Sequence, residues 1–178
     1  MKVFNNPNFL RLLLPIIALL LLYQVTAATK VEEPAISDEP YLETFQDSVA
    51  YYIHKLEFEH PHIVLAQAKL ETGDFRSRIF RQNNNLFGMK MPSRRPTSAH
   101  GSKSSYADYH SWEYSVIDLR LYYSTYMEGK DEKEVYTFLR RYYAEDPNYI
   151  NKLKTIIERE QLKDRFQSFE SNANSIKL

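Results

Sequence analysis

The 178 residues contain no cysteine, and the N-terminus carries the marks of export, so the fold must rest on apolar burial with no disulfide to help. Met1 to Ala28 has a basic head with Lys2 and Arg11, an apolar run from Leu12 to Leu22, and small residues at Val25-Thr26-Ala27. That pattern reads as a signal peptide over 1–27. The run is eleven residues long and holds Pro15, whereas a spanning helix needs about 20 apolar residues. An uncleaved anchor is the alternative. No stable membrane insertion is expected after cleavage, and with no cysteine after the run a lipid-modified lipoprotein is excluded. A mature chain of about 150 residues suffices for one core.

The whole chain balances 23 basic against 23 acidic residues. Loss of Lys2 and Arg11 with the leader leaves a slightly acidic remainder, which gives no reason to expect nucleic-acid binding. Tyrosine is abundant, with 14 Tyr beside 10 Phe and one Trp. Phenol rings suit sugar contacts as well as a small core, because each has an apolar face and a polar tip.

Residues 28–40, with Pro34, Pro40 and several acids, predict a linker. From there 41–165 reads as one domain and 166–178 as a polar, frayed tail. Apolar residues at Leu42, Phe45, Val49, Tyr52, Ile53 and Leu56 predict an amphipathic helix over Tyr41 to Glu59. Pro61 suits a first helical turn and Gly73 a stop, giving a mostly apolar helix between them. Gly88, Pro92, Pro96 and Gly101 then break any helical pattern, and Ser104 to Tyr109 predicts one strand of a hairpin. Helices resume from Ser111 to Gly129. A capping box at Asp131 to Glu134 opens the next helix, with Val135, Phe138, Leu139 and Tyr142 on its inner side. Asp146 is expected to cap a last helix starting at Pro147 and fading near Gln161. No internal repeat is present.

The acid-bearing helix carries the chemistry. Helical spacing puts Val64, Gln67, Ala68 and Glu71 on one side. At the helix C-terminus the dipole and an apolar neighbourhood both disfavour an ionised carboxyl, so the pKa of Glu71 is expected to rise. A raised pKa suits a general acid. The plainer alternative is a surface Glu pointing to water.

Lys69-Leu70-Glu71-Thr72-Gly73, followed by Asn84-Asn85-Leu86-Phe87-Gly88-Met89-Lys90, resembles the signature of glycoside hydrolase family 73, the peptidoglycan-cleaving N-acetylglucosaminidases of the flagellar muramidase and autolysin group. Two further blocks follow in order: Tyr106 to Ser115 resembles the family's aromatic strand leading into a Ser-capped helix, and Tyr143-Ala144-Glu145-Asp146-Pro147-Asn148-Tyr149 resembles its late Tyr-Ala-Thr-Asp-Pro-x-Tyr element. The resemblance spans roughly residues 41 to 161. It implies a mainly α, lysozyme-like helical domain, with a small irregular or β-hairpin insertion as the second wall of a cleft. It also implies peptidoglycan glycan strands as the substrate.

Glycoside hydrolysis usually needs a proton donor and a second carboxylate. Glu71 is the expected donor. Many relatives carry a Glu in the loop after the Phe-Gly element, but between Glu71 and Asp108 this chain has only Asp74. Asp108 is then the acid best placed by sequence order to face the cleft, the alternative being a turn cap before His110. If instead the substrate's 2-acetamido group attacks, Tyr143 or Tyr149 would orient it, as the resemblance implies. Asn84, Phe87, Tyr109 and Tyr149 are the expected substrate contacts, with Trp112 ranked below Tyr109 for stacking. At least two of Asn83, Asn84 and Asn85 are expected to stabilise turns, and Leu86 and Phe87 to pack beneath that loop.

Seven Lys or Arg and no acid lie between Phe75 and Ala107. A basic wall would concentrate the carboxylates of peptidoglycan; a solvated loop is the alternative. The histidines show no metal-ligand spacing, so no metal or other cofactor is expected. No nucleophile elbow is present either. The rival readings are a lytic transglycosylase and a non-catalytic wall-binding or secretion-accessory module.

Overall fold

A computed structural model describes residues 44–175. The expected signal peptide and linker lie outside the described residues. The elements, in order, are α1 (Phe45–Lys55), α2 (Pro61–Thr72), α3 (Arg78–Asn83), β1 (Gly101–Lys103), β2 (Tyr106–Asp108), α4 (Trp112–Tyr126), α5 (Glu132–Phe138), a π-helical turn (Leu139–Tyr143), α6 (Tyr149–Arg159) and α7 (Leu162–Ser175). No helix among the described residues is long and apolar enough to cross a membrane.

α2 is the central helix. Ile63, Val64, Leu65, Ala66 and Ala68 are fully buried, and α1, α6 and α7 pack around them. An all-round apolar helix of this kind is stable only when surrounded. Its ends follow local rules: Pro61 stands in the first turn, and Gly73 closes it at φ 55, the left-handed region that glycine enters without steric cost. α1 begins at Thr44, which forms a capping box with Asp47. The expected box at Asp131 is present, its side chain accepting from Glu134 N at 2.8 Å while Glu134 accepts from Asp131 N at 2.9 Å. Such reciprocal bonds satisfy amides that the first turn leaves without partners.

Three elements depart from expectation. The helix after Asp146 ends at Arg159, close to the expected Gln161, but a separate helix, α7, follows it, with Leu162 and Phe166 in the core where a polar tail was expected from residue 166. α6 starts at Tyr149 rather than Pro147, because the Asp146 carboxylate accepts from Asn148 N at 2.8 Å and forms a separate turn first. Tyr142, expected to face inward, is 61% exposed. The π turn is the cause. Ala144 N donates to Leu139 O at 3.0 Å, so one extra residue enters the turn and the phase of the side chains shifts, carrying Tyr143 inward in place of Tyr142.

β1 and β2 form an antiparallel hairpin with Gly101 opposite Asp108 and Lys103 opposite Tyr106. A two-stranded hairpin is marginal alone. Here side-chain amides bind it to the preceding loop: Asn85 Nδ2 donates to Met89 O at 2.9 Å and to Ala107 O at 3.0 Å, and Asn83 Nδ2 donates to Lys103 O at 2.8 Å. Ala107 N also donates to Met89 O at 2.8 Å.

Candidate active site

A cleft of about 860 Å³ runs between this loop-and-hairpin wall and the helices that follow. Glu71, at the end of α2, lies on it together with Gly88. Its Oε1 accepts from the Tyr149 hydroxyl at 2.9 Å, and Gln67 Nε2 donates to that hydroxyl's oxygen at 3.4 Å. The Tyr123 hydroxyl in turn donates to Gln67 Oε1 at 2.7 Å. α2 supplies Gln67 and Glu71 one helical turn apart, and α6 and α4 supply the two tyrosines. This buried chain fixes the carboxyl's orientation. Oε2 is left toward Gly88, 3.7 Å from where a Cβ on that residue would stand. Gly88 has φ +62, a conformation that a residue with a side chain resists.

Burial pushes the Glu71 carboxyl above its ordinary value, and the Tyr149 hydrogen bond partly opposes that rise. Tyr149 remains a donor because burial and the neighbouring Glu71 hold its own pKa up. The arrangement is a carboxyl inclined to keep its proton, one oxygen held and the other facing the cleft, as proton donation to a bound oxygen requires.

Tyr143 also lines the cleft, and its hydroxyl donates to Phe87 O at 2.7 Å. Phe87 itself is 2% exposed, so it serves as core and carbonyl acceptor more than as an open face. Glu71, Phe87, Tyr143 and Tyr149 are therefore brought together. Three expected residues are not. Asp108 does not line the cleft; its carboxylate faces His100 Nε2 at 3.5 Å, at the end of β2 away from Tyr106. Asn84 is the left-handed cap of α3 and spends its amide on Tyr109 O at 2.9 Å. Tyr109 is 1% exposed, and its hydroxyl donates to Asp118 Oδ2 at 2.7 Å. A ring enclosed in this way has no face left for a sugar. Trp112 packs edge-on against Phe45 and Tyr52 of α1.

Other aromatics stand where Tyr109 was expected. Tyr122, Tyr126 and Tyr142 line the cleft on its helical side, and Tyr126 is 41% exposed. Their positions depend on the α4 to α5 packing and on the π turn, which no local motif announces. Arg78 of α3 and Lys90 and Arg94 of the following loop also line the cleft. Arg95 is spent on structure, its guanidinium holding Asp118 through bonds of 2.7 and 3.1 Å. Glu145, which the sequence singles out only as part of a block, also lines the cleft.

Residues 48–162 match a family model, described as glucosaminidase, mannosyl-glycoprotein endo-beta-N-acetylglucosaminidase. Among solved structures, the catalytic domain of the autolysin Auto from Listeria monocytogenes is similar at a TM-score of 0.51 and 25% identity, over 73% of this chain and 90% of that one. No curated protein matches the chain.

Proposed function

Because the chain belongs to the glucosaminidase family of glycoside hydrolases, we propose that it is an exported endo-β-N-acetylglucosaminidase that cleaves peptidoglycan glycan strands at the β-1,4 bond after N-acetylglucosamine, with Glu71 as the general acid. The observation that carries this reading is the Glu71 carboxyl itself, its pKa raised by burial and its Oε2 turned to an open cleft. In the reaction Glu71 Oε2 gives its proton to the glycosidic oxygen as the bond from C1 breaks. Exposed Tyr126 and Tyr142 supply apolar faces for sugar rings, and Arg78, Lys90 and Arg94 meet the carboxylates that lactyl groups and peptide stems present. A pure binding module gains nothing from a carboxyl held where ionisation is costly.

Mass spectrometry of fragments released from purified peptidoglycan tests the reading. A reducing N-acetylglucosamine end is expected; a reducing N-acetylmuramic acid end or an anhydro end would name a different reaction and overturn it. Export is tested separately. Intact-mass analysis of envelope material is expected to show a chain beginning near Ala28, and recovery of only the full-length chain in membranes would refute cleavage.

The Tyr149 bond makes a further prediction. It lowers the Glu71 pKa against the effect of burial, so Tyr149→Phe should raise that pKa. The alkaline limb of kcat/KM, where the acid loses its proton, should then move to higher pH. A limb that stays in place or moves down would show that the bond does not tune the acid. The same change leaves the buried Gln67 amide without an acceptor, at a cost of about 1–3 kcal/mol in stability.

A further inference from the structure

The reaction assigned to the cleft needs a group to activate water, and Asp108 is turned away from it. Among the described residues, Glu71 and Glu145 are the two carboxylates that line the cleft. They also share an adjoining recess of about 270 Å³ with Tyr143, Asp146 and Tyr149. Asp146 is committed, its Oδ2 to Lys152 Nζ at 2.6 Å and its Oδ1 to Asn148 N. No hydrogen bond or ion pair among the described residues holds Glu145. The backbone beside it is pinned, by Ala144 N on Leu139 O and by the Tyr143 hydroxyl on Phe87 O. An uncommitted carboxylate on a fixed backbone, lining the same cleft and recess as the Glu71 carboxyl, has the makings of an acid and base pair.

We propose that Glu145 is the second carboxylate of the reaction, the general base that takes a proton from the attacking water. This rests on the hydrolase reading of the cleft. Water oxygen bonds to C1 from the face opposite the leaving group, one water proton passes to Glu145, the C1–O4 bond breaks, and the Glu71 proton goes to the departing oxygen. Proton exchange with solvent then restores both carboxyls. Direct attack of this kind inverts the β-linkage to an α product, and it requires about 6.5–9.5 Å between the two carboxyls to admit the water.

The test uses the full chain and purified peptidoglycan. NMR of the first-formed reducing end, read before mutarotation, is expected to show the α anomer for the wild type. Glu145→Gln should lower kcat by about 10²- to 10⁴-fold with KM little changed. Its thermal unfolding should match the wild type, since the side chain is exposed and unpaired. Azide added to Glu145→Ala should restore turnover and give an α-glycosyl azide, because the anion attacks without needing a base. A reducing N-acetylglucosamine end that forms first as the β anomer would overturn the role of Glu145 while leaving the hydrolase reading intact. So would a Glu145→Gln variant retaining more than about a tenth of the wild-type kcat, a smaller loss than a general base allows. An anhydro product from the wild type removes the water step and overturns both.

Discussion

Glu71→Gln is expected to lower the rate of peptidoglycan cleavage by about 10²- to 10⁴-fold, the range general acid catalysis contributes, and to leave the protein at least as stable at neutral pH. Glutamine keeps the shape, and its carbonyl can still accept from Tyr149, but it has no acidic proton for the leaving oxygen. The stability half follows from the sign of the shift. Burial raises the folded-state pKa of Glu71 above its ordinary 4.5. Between those two values the folded chain binds more protons than the unfolded one, so this group's effect is to reduce stability as pH rises through that window. Replacing it by a neutral side chain removes the penalty. The difference in thermal unfolding between variant and wild type should therefore shrink as pH falls below 4.5. A variant with more than about a tenth of the wild-type rate would be too active for Glu71 to be the donor. A variant that loses stability at neutral pH but not in acid would contradict the assigned shift.

Asp118→Ala is expected to cost about 3–5 kcal/mol of folding stability, as breaking a buried ion pair from one side does. Asp118 is fully buried, the Arg95 guanidinium grips both its oxygens, and the Tyr109 hydroxyl donates to Oδ2. Without the carboxylate, Arg95 keeps a charge with no counterpart in a place from which water is largely excluded. Burial alone would raise the Asp118 pKa, but bonds from Arg95, Thr97 and Tyr109 outweigh it and hold the carboxyl below its ordinary 3.8. Its contribution is accordingly present in full above that value and lost as pH falls through the lower, folded-state pKa. Urea unfolding at neutral pH measures the loss. Tyr109→Phe, which removes one bond to the carboxylate and no charge, should cost less, about 1.5–3 kcal/mol. A cost for Asp118→Ala within about 1 kcal/mol of zero, the range of an exposed pair, would mean that the network is solvated. Because Arg95 belongs to the loop wall of the cleft, the same change should also raise KM.

The network explains why Tyr109 misleads when read from sequence. An aromatic beside a predicted hairpin looks like a sugar platform, and only the arrival of Asp118 from α4 shows that the hydroxyl is needed inside. Asp108 is a similar case. Chain order puts it in the second wall, while its pairing with His100 depends on where the hairpin ends relative to the cleft. Glu145 is the converse. Nothing in its immediate neighbours marks it, and it reaches Glu71's side only because the π turn and the Asp146 turn carry the backbone there.

What the amino-acid sequence determined by itself is whatever depends on residues within a few positions of one another. Pro61 and Gly73 bound the acid-bearing helix, Asp131 and Glu134 open another, and Glu71 falls in the last turn of the first. Those effects act through backbone angles and first-turn amides, which operate at short range along the chain. Tertiary structure alone decided which tyrosine bonds Glu71, which ring is enclosed and which carboxylate shares the cleft. Gln67, Tyr123 and Tyr149 meet only when α2, α4 and α6 pack. One extra residue in the π turn brings Tyr143 inward in place of Tyr142, because the wider turn changes the angle between successive side chains within Leu139–Tyr143.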